Sequence, residues 1–127
     1  HVMEGAEFVA LHRGPYWDTG LGLALDAGSF VTALEYATGR EAMLVGKPSS
    51  TFFQAAAEAM GVEPFNMAVV GDDLGTDVAG ARSCDAAAIL VRTGKFQESD
   101  LSVREPKPDL VLDSIASLPT ALGVKFS

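Results

Sequence analysis

Cysteine is nearly absent: Cys84 is the one thiol in 127 residues. A lone cysteine excludes an internal disulfide and a multi-cysteine zinc site, and its place on a predicted helix suits a small core residue better than a nucleophile. Positive charge is also scarce, with nine Lys and Arg against seventeen Asp and Glu and a net charge of −8. The nine are scattered rather than clustered, so no basic face is expected for nucleic acid or an anionic membrane. No apolar stretch reaches the ~18 residues needed to cross a bilayer. No basic and then apolar leader opens the chain, so the expected compartment is the reducing cytoplasm. His1-Val2-Met3 reads either as a linker remnant before an initiating Met3 or as a cut through a longer protein. Internal repeats and low-complexity segments are absent too. What remains is a globular composition, 48% apolar and 20% charged, in a chain long enough for one core.

Apolar periodicity divides the chain. Glu7 to His12 reads as a strand, closed by Arg13-Gly14-Pro15. A polar, glycine-rich passage holding Tyr16, Trp17, Asp18 and Gly20 leads to an apolar run from Leu21 to Leu25. Asp26 or Ser29 caps the next helix, where Phe30, Ala33, Leu34 and Ala37 recur at helical spacing over 29–38 until Gly39 stops it. Ala42 to Val45 is a short buried strand ended by Gly46-Lys47-Pro48. Ser49, Ser50 or Thr51 caps a helix with Phe53, Ala56, Ala57 and Met60 on one face, terminated by Gly61. Pro64 opens a turn into the strand Met67 to Val70. Leu74, Val78 and Ala81 make another helical stripe, Ala87 to Val91 and Asp109 to Leu112 read as strands, and Ser114 caps a last helix with Ile115, Leu118 and Leu122. Helices alternating with short apolar strands predict an α/β fold built on a doubly wound parallel sheet. Gly46-Lys47-Pro48 is the candidate domain boundary.

The chemistry concentrates in Val69-Val70-Gly71-Asp72-Asp73-Leu74-Gly75-Thr76-Asp77. Asp72 directly follows a buried strand, at the carboxyl edge where open α/β sheets bind ligands. Five residues on, Asp77 lies at a helix start, so both carboxylates can aim at one hard cation such as Mg²⁺. A plainer reading makes Asp73 or Thr76 the helix N-cap and Asp77 a partner of the helix dipole, with no metal. Lys47 shifts the balance. One βα step upstream, its ammonium can neutralise a transferring phosphoryl group beside a metal–carboxylate cluster. On its own, a lysine in a proline turn reads as a snorkelling surface residue. His12 has no partner at metal-ligand spacing and reads as structural.

Taken in order, Gly22 to Phe30, Val45-Gly46-Lys47-Pro48, Val70 to Asp77 and Val91-Arg92-Thr93-Gly94 resemble the haloacid dehalogenase superfamily. The resemblance is nearest to phosphatases with the subclass IIA cap, which act on nucleotide, sugar and glycolate phosphates. It implies a phosphoryl-contacting catalytic role for Lys47, a Mg²⁺ ligand at Asp72, and a supporting metal-site carboxylate at Asp77. It also implies that the loop Arg13 to Gly20, with Tyr16 and Trp17, chooses the substrate, although both rings can equally cover a strand edge. The family's nucleophile lies in an Asp-x-Asp-x-Thr/Val run near the N-terminus. No such run occurs in this sequence, and Asp18-Thr19-Gly20 does not replace it. The expectation is therefore the second half of an α/β cap over residues 1–46, then the C-terminal half of a Rossmann-like core over 47–127.

By this resemblance the parent activity is Mg²⁺-dependent hydrolysis of a small phosphate monoester. The isolated chain is expected to bind Mg²⁺ weakly and to lack turnover, because nucleophile and proton shuttle are missing. The strand Met67 to Val70 would lack a neighbour on one side. That predicts a homodimer, an exchanged assembly, or a sheet rearranged so that the cap strands cover the edge. Two other readings stand beside a hydrolase fragment: a naturally truncated, non-catalytic oligomer, and an unrelated α/β binding module.

Overall fold

The computed structural model describes residues 1–102 and 105–124. Its elements run β1 (Val9–Ala10), β2 (Tyr16–Asp18), β3 (Leu23–Leu25), α1 (Ala27–Thr38), β4 (Met43–Leu44), α2 (Ser50–Met60), β5 (Ala68–Gly71), α3 (Ala79–Arg82), β6 (Ala87–Val91), β7 (Leu110–Leu112) and α4 (Leu118–Ala121). Short 3₁₀ turns punctuate the connections, and a π-helical turn, Leu74–Val78, leads into α3.

The core lies in the second part of the chain. β5, β6 and β7 form a parallel sheet in that order, with Val70 opposite Ile89 and Leu90 opposite Val111. β6 is apolar because it is central, and four of its five residues are buried. Helix α2 lays Phe53 and Ala57 on one face of this sheet, against Met67, Val78, Ala81, Cys84, Ala88 and Leu90. Gly80 lets α3 approach that closely, since a Cβ there would overlap the Phe53 ring. Cys84 is buried and donates its thiol proton to the Ala81 carbonyl, as a small core residue does. At the start of β7, Asp109 binds its neighbours through its side chain. It accepts from the Ala88 N–H at 2.8 Å and from Arg82 Nη2 at 2.8 Å, tying α3 to the sheet.

Residues 1–46 form two small sheets, the parallel pair β1–β4 and the antiparallel hairpin β2–β3, with α1 beside them. The hairpin pairs Trp17 with Ala24, so the first part of the polar passage, Tyr16–Asp18, is a strand and only residues 19–22 form the connection. Burial here is slight: Ala10 and Val31 are enclosed, whereas Leu21, Leu23, Leu25, Phe30 and Tyr36 are exposed. Asp26, not Ser29, caps α1, its Oδ1 accepting from the Ala27 N–H at 2.7 Å. Gly39 and Gly61 end α1 and α2 in the left-handed conformation, as their positions predict.

Several boundaries differ from expectation. The strand expected over Glu7 to His12 is shorter, with Val9 and Ala10 in register with Met43 and Leu44 and the bonding closed by the Met43 N–H to the Phe8 carbonyl and the Val45 N–H to the Ala10 carbonyl. Ser49 precedes α2 without a side-chain capping bond. The last helix breaks into a 3₁₀ turn capped by Ser114 and the short α4. Among the described residues, β5 pairs with β6 alone, and the strands of residues 1–46 pair only with one another. The cap-strand version of the rearranged sheet is therefore not formed. Gly46 leaves β4 so close to β1 that a Cβ would overlap the Leu11 carbonyl oxygen.

Candidate functional site

The site grows from the carboxyl end of β5. Gly71 closes the strand, and Asp72 and Asp73 follow before the π-helical turn. Asp73 is the cap: its Oδ1 accepts from the N–H groups of Gly75 at 2.9 Å and Thr76 at 3.0 Å. Thr76 is thus the capped residue rather than the cap. The turn brings Asp77 back over Gly71, where a Cβ would overlap its carboxylate. Asp77 is 6% exposed, the one buried charged residue among the described residues.

A buried carboxylate requires compensation, and Asp77 has it from two sides. Lys47 Nζ donates to its Oδ1 at 2.7 Å, and the Asp73 N–H donates to Oδ2 at 3.3 Å. The two residues stand thirty positions apart, yet the loop after β4 and the turn after β5 meet here. Lys47 keeps nearly half of its side chain exposed, so the ammonium is anchored at one side and open at the other.

Asp72 is held from a different strand. Its Oδ2 accepts from the Lys95 N–H at 2.7 Å, on the loop leaving β6. Gly94 makes this approach possible: its φ is +59°, and a Cβ would lie 2.9 Å from Asp72 Cγ and overlap Oδ2. The Lys95 ammonium lies 3.4 Å from Asp73 Oδ2.

A cavity of about 500 Å³ opens over these groups, lined by Lys47, Asp73, Thr76 and Lys95 from the core and by His12 and Arg13 from the end of β1. A second, of about 600 Å³, adjoins it, with Tyr16, Trp17 and Leu23 of the hairpin facing Leu74, Lys95 and Gln97. The structure therefore brings Lys47, Asp72, Asp73 and Asp77 to one strand end, with Trp17 across the neighbouring cavity. Lys95 and Gly94 carry geometry that their sequence signal, a Thr-Gly after an apolar strand, does not reveal. His12 does more than close a strand: its Nδ1 accepts from the Gly14 N–H at 3.3 Å, and Nε2 stands 3.6 Å from Asp26 Oδ1.

Among the described residues no group of three or more His, Cys, Asp or Glu is disposed to hold a metal ion. Asp77 has both oxygens committed to Lys47 and Asp73, whereas Asp72 has hydrogen bonding shown at one oxygen only. The donor set fits a cation that enters through Asp72 and keeps most of its water, as Mg²⁺ does, and does not fit an all-protein cage.

A family model described as HAD-hydrolase-like matches residues 44–118. The haloacid dehalogenase-like hydrolase domain-containing protein 2 of Homo sapiens is 44% identical over 113 residues, covering 89% of this chain and 44% of that protein. The solved 4-nitrophenylphosphatase from Thermotoga maritima superposes with a TM-score of 0.86 at 34% identity, over 95% of this chain and 47% of that one. The glycerol phosphate phosphatase from Mycobacterium tuberculosis, solved in complex with magnesium, gives 0.82 at 31% identity, over 92% and 36%. The chain spans less than half the length of each of these relatives.

Proposed function

The chain belongs to the haloacid dehalogenase-like hydrolases, and we propose on that footing that it carries the phosphoryl-binding side of a phosphate monoesterase centre. The observation that carries this reading is the Lys47–Asp77 pair at the end of β5, where a buried carboxylate aims an ammonium at an open cavity. Lys47 would draw charge from the phosphoryl oxygens as the P–O ester bond breaks. Asp77 positions Lys47, and Asp72 would hold Mg²⁺, which when bound supplies charge neutralisation at the same phosphoryl group. Two of the solved relatives are named for 4-nitrophenyl phosphate and glycerol phosphate hydrolysis, so a small phosphorylated molecule is the proposed ligand class. Trp17, on the hairpin opposite, is proposed to touch the part of the ligand beyond the phosphate.

Residues 1–46 are proposed to act as part of a cap and 47–127 as part of the core. The contrast in burial supports that division: among the described residues, eleven of the thirteen buried apolar ones lie in the second part. An Asp-x-Asp run, the nucleophile and proton shuttle that the family uses, does not occur in these 127 residues. The chain by itself is therefore proposed to bind phosphate without turning over an ester. The membership removes the unrelated binding module as a reading. The non-catalytic oligomer keeps one specific support, the edge of β5 with no partner among the described residues. The described residues include no helix long and apolar enough to cross a membrane.

The test is p-nitrophenyl phosphate hydrolysis with Mg²⁺, alongside ³¹P titration of inorganic phosphate. The expected result is no turnover above the enzyme-free control and phosphate binding that Lys47→Met abolishes. Turnover lost on Asp72→Ala would overturn the inactivity of the chain. Binding indifferent to Lys47→Met would overturn the phosphoryl site.

A further inference from the structure

The two cavities at the strand end share Pro15, Tyr16, Asp73, Gly75 and Lys95. Lys95 stands where they meet, with Lys47 in one and Trp17 and Leu23 in the other. A ligand whose phosphoryl group sits at Lys47 must pass Lys95 before its far end reaches the hairpin. In a chain of net charge −8, three of the nine Lys and Arg line the 500 Å³ cavity, together with His12. Asp26 and Asp73 line the same cavity, so the charge open to a ligand depends on how firmly each cation is held.

The cations differ in how firmly each is held. Arg13 is bound by Glu35, and Lys47 by the buried Asp77. His12 lies at 3.6 Å from Asp26. Lys95 has the loosest of the Lys and Arg pairings in the cavity: 3.4 Å from Asp73, with 74% of its side chain exposed. Exposed pairs of this length contribute little, so an incoming anion can take Lys95 from Asp73 at small cost. Asp73 does not depend on the pair, since its Oδ1 is held by two N–H groups of the following turn. The backbone of Lys95 is fixed at the same time, because its N–H is bonded to Asp72. A flexible ammonium on a fixed base, with a partner that can release it, is arranged to meet a variable second charge.

Resting on the phosphoryl site proposed above, the geometry points to Lys95 as a specificity residue that selects phosphorylated ligands carrying a second anionic group, carboxylate or phosphate, next to the phosphoryl group. Such a ligand places one charge at Lys47 and the other at Lys95, leaving the Trp17 side for whatever the molecule carries beyond. An uncharged tail gains nothing from Lys95.

The experiment titrates the purified chain, at low salt and without metal, with three hydrolysis-resistant probes: propylphosphonate, 3-phosphonopropionate and methylenediphosphonate. The second and third are expected to bind roughly fivefold more tightly than the first, as one added exposed charge contact allows. Lys95→Met should bring that ratio to about one, and added salt should shrink it in the parent chain. A preference confined to 3-phosphonopropionate identifies a carboxylate, and one confined to methylenediphosphonate a second phosphate. A ratio of one in the parent chain, or a ratio untouched by Lys95→Met, overturns the role of Lys95. Lys47→Met should weaken all three probes together. Its failure to do so strikes the phosphoryl site itself, so the two ideas fail separately.

Discussion

Gly94→Ala tests the contact that aims Asp72. Two costs are expected. Holding alanine at φ +59° costs about 1–2 kcal/mol, less the few tenths gained by a stiffer unfolded chain. The new Cβ would also overlap Asp72 Oδ2 and lie 2.9 Å from Cγ, so the carboxylate must turn away and give up the Lys95 N–H. A hydrogen bond to a charged acceptor is worth about 1.5–3 kcal/mol, and partial access of water to Asp72 reduces that to about 1 kcal/mol. The single variant should therefore lose about 2 kcal/mol by urea denaturation followed by circular dichroism. In an Asp72→Ala background the carboxylate is gone, and the Cβ of residue 72 at 3.4 Å is an ordinary contact. There Gly94→Ala should cost only the backbone part, leaving a coupling of about 1 kcal/mol between the two positions. Equal costs in both backgrounds would sink the idea that Gly94 exists to let Asp72 reach the Lys95 N–H.

Asp109 predicts a response to acid. The Ala88 N–H and then the Arg82 guanidinium hold its carboxyl below the ordinary value of 3.8. A depressed folded pKa stabilises the fold above the unfolded value, and that share is lost as pH falls through the folded one. The stability gap between the parent chain and Asp109→Asn should stay constant from neutral pH to about 5 and narrow below about 4, measured by denaturant midpoints. A gap that widens in acid contradicts the assignment. The open edge of β5 predicts self-association, read by light scattering as a mass that grows with concentration and falls when a lysine at the exposed Ala68 (Ala68→Lys) adds charge to that strand. A monomeric mass across a wide concentration range would remove the intermolecular pairing.

Much of the second part was legible because period and burial coincide there. Phe53 and Ala57 recur at helical spacing and both face the sheet, and the apolar β6 lies at its centre. Motif order singles out Lys47 and Asp77, and the structure brings them together, but their direct bond is not legible because it depends on a turn that coils as a π-helix. Asp77 was expected beside a metal as a supporting carboxylate, and the structure shows why its oxygens are engaged: burial makes it the counter-ion of Lys47. Lys95 and Asp72 are twenty-three positions apart, and no local pattern marks an N–H that bonds a carboxylate on the next strand. Asp109 read as the first residue of a strand, whereas its side chain replaces part of the ladder. The first 46 residues were least legible, since exposed Leu23, Leu25 and Phe30 carry the same apolar signal as core residues.

Gly46 and Lys47 are adjacent, and each is pinned to a different part of the chain. Gly46 lies against the Leu11 carbonyl, and Lys47 is bonded to Asp77. Only the lysine side chain therefore separates the β1–β4 pair from the ammonium. A tilt of that strand pair would move the base of Lys47 with it, because Gly46 packs on Leu11. Anion binding at Lys47 should then register in residues 9–11 and 43–45 as slower amide exchange in the strand pair beneath the cavity.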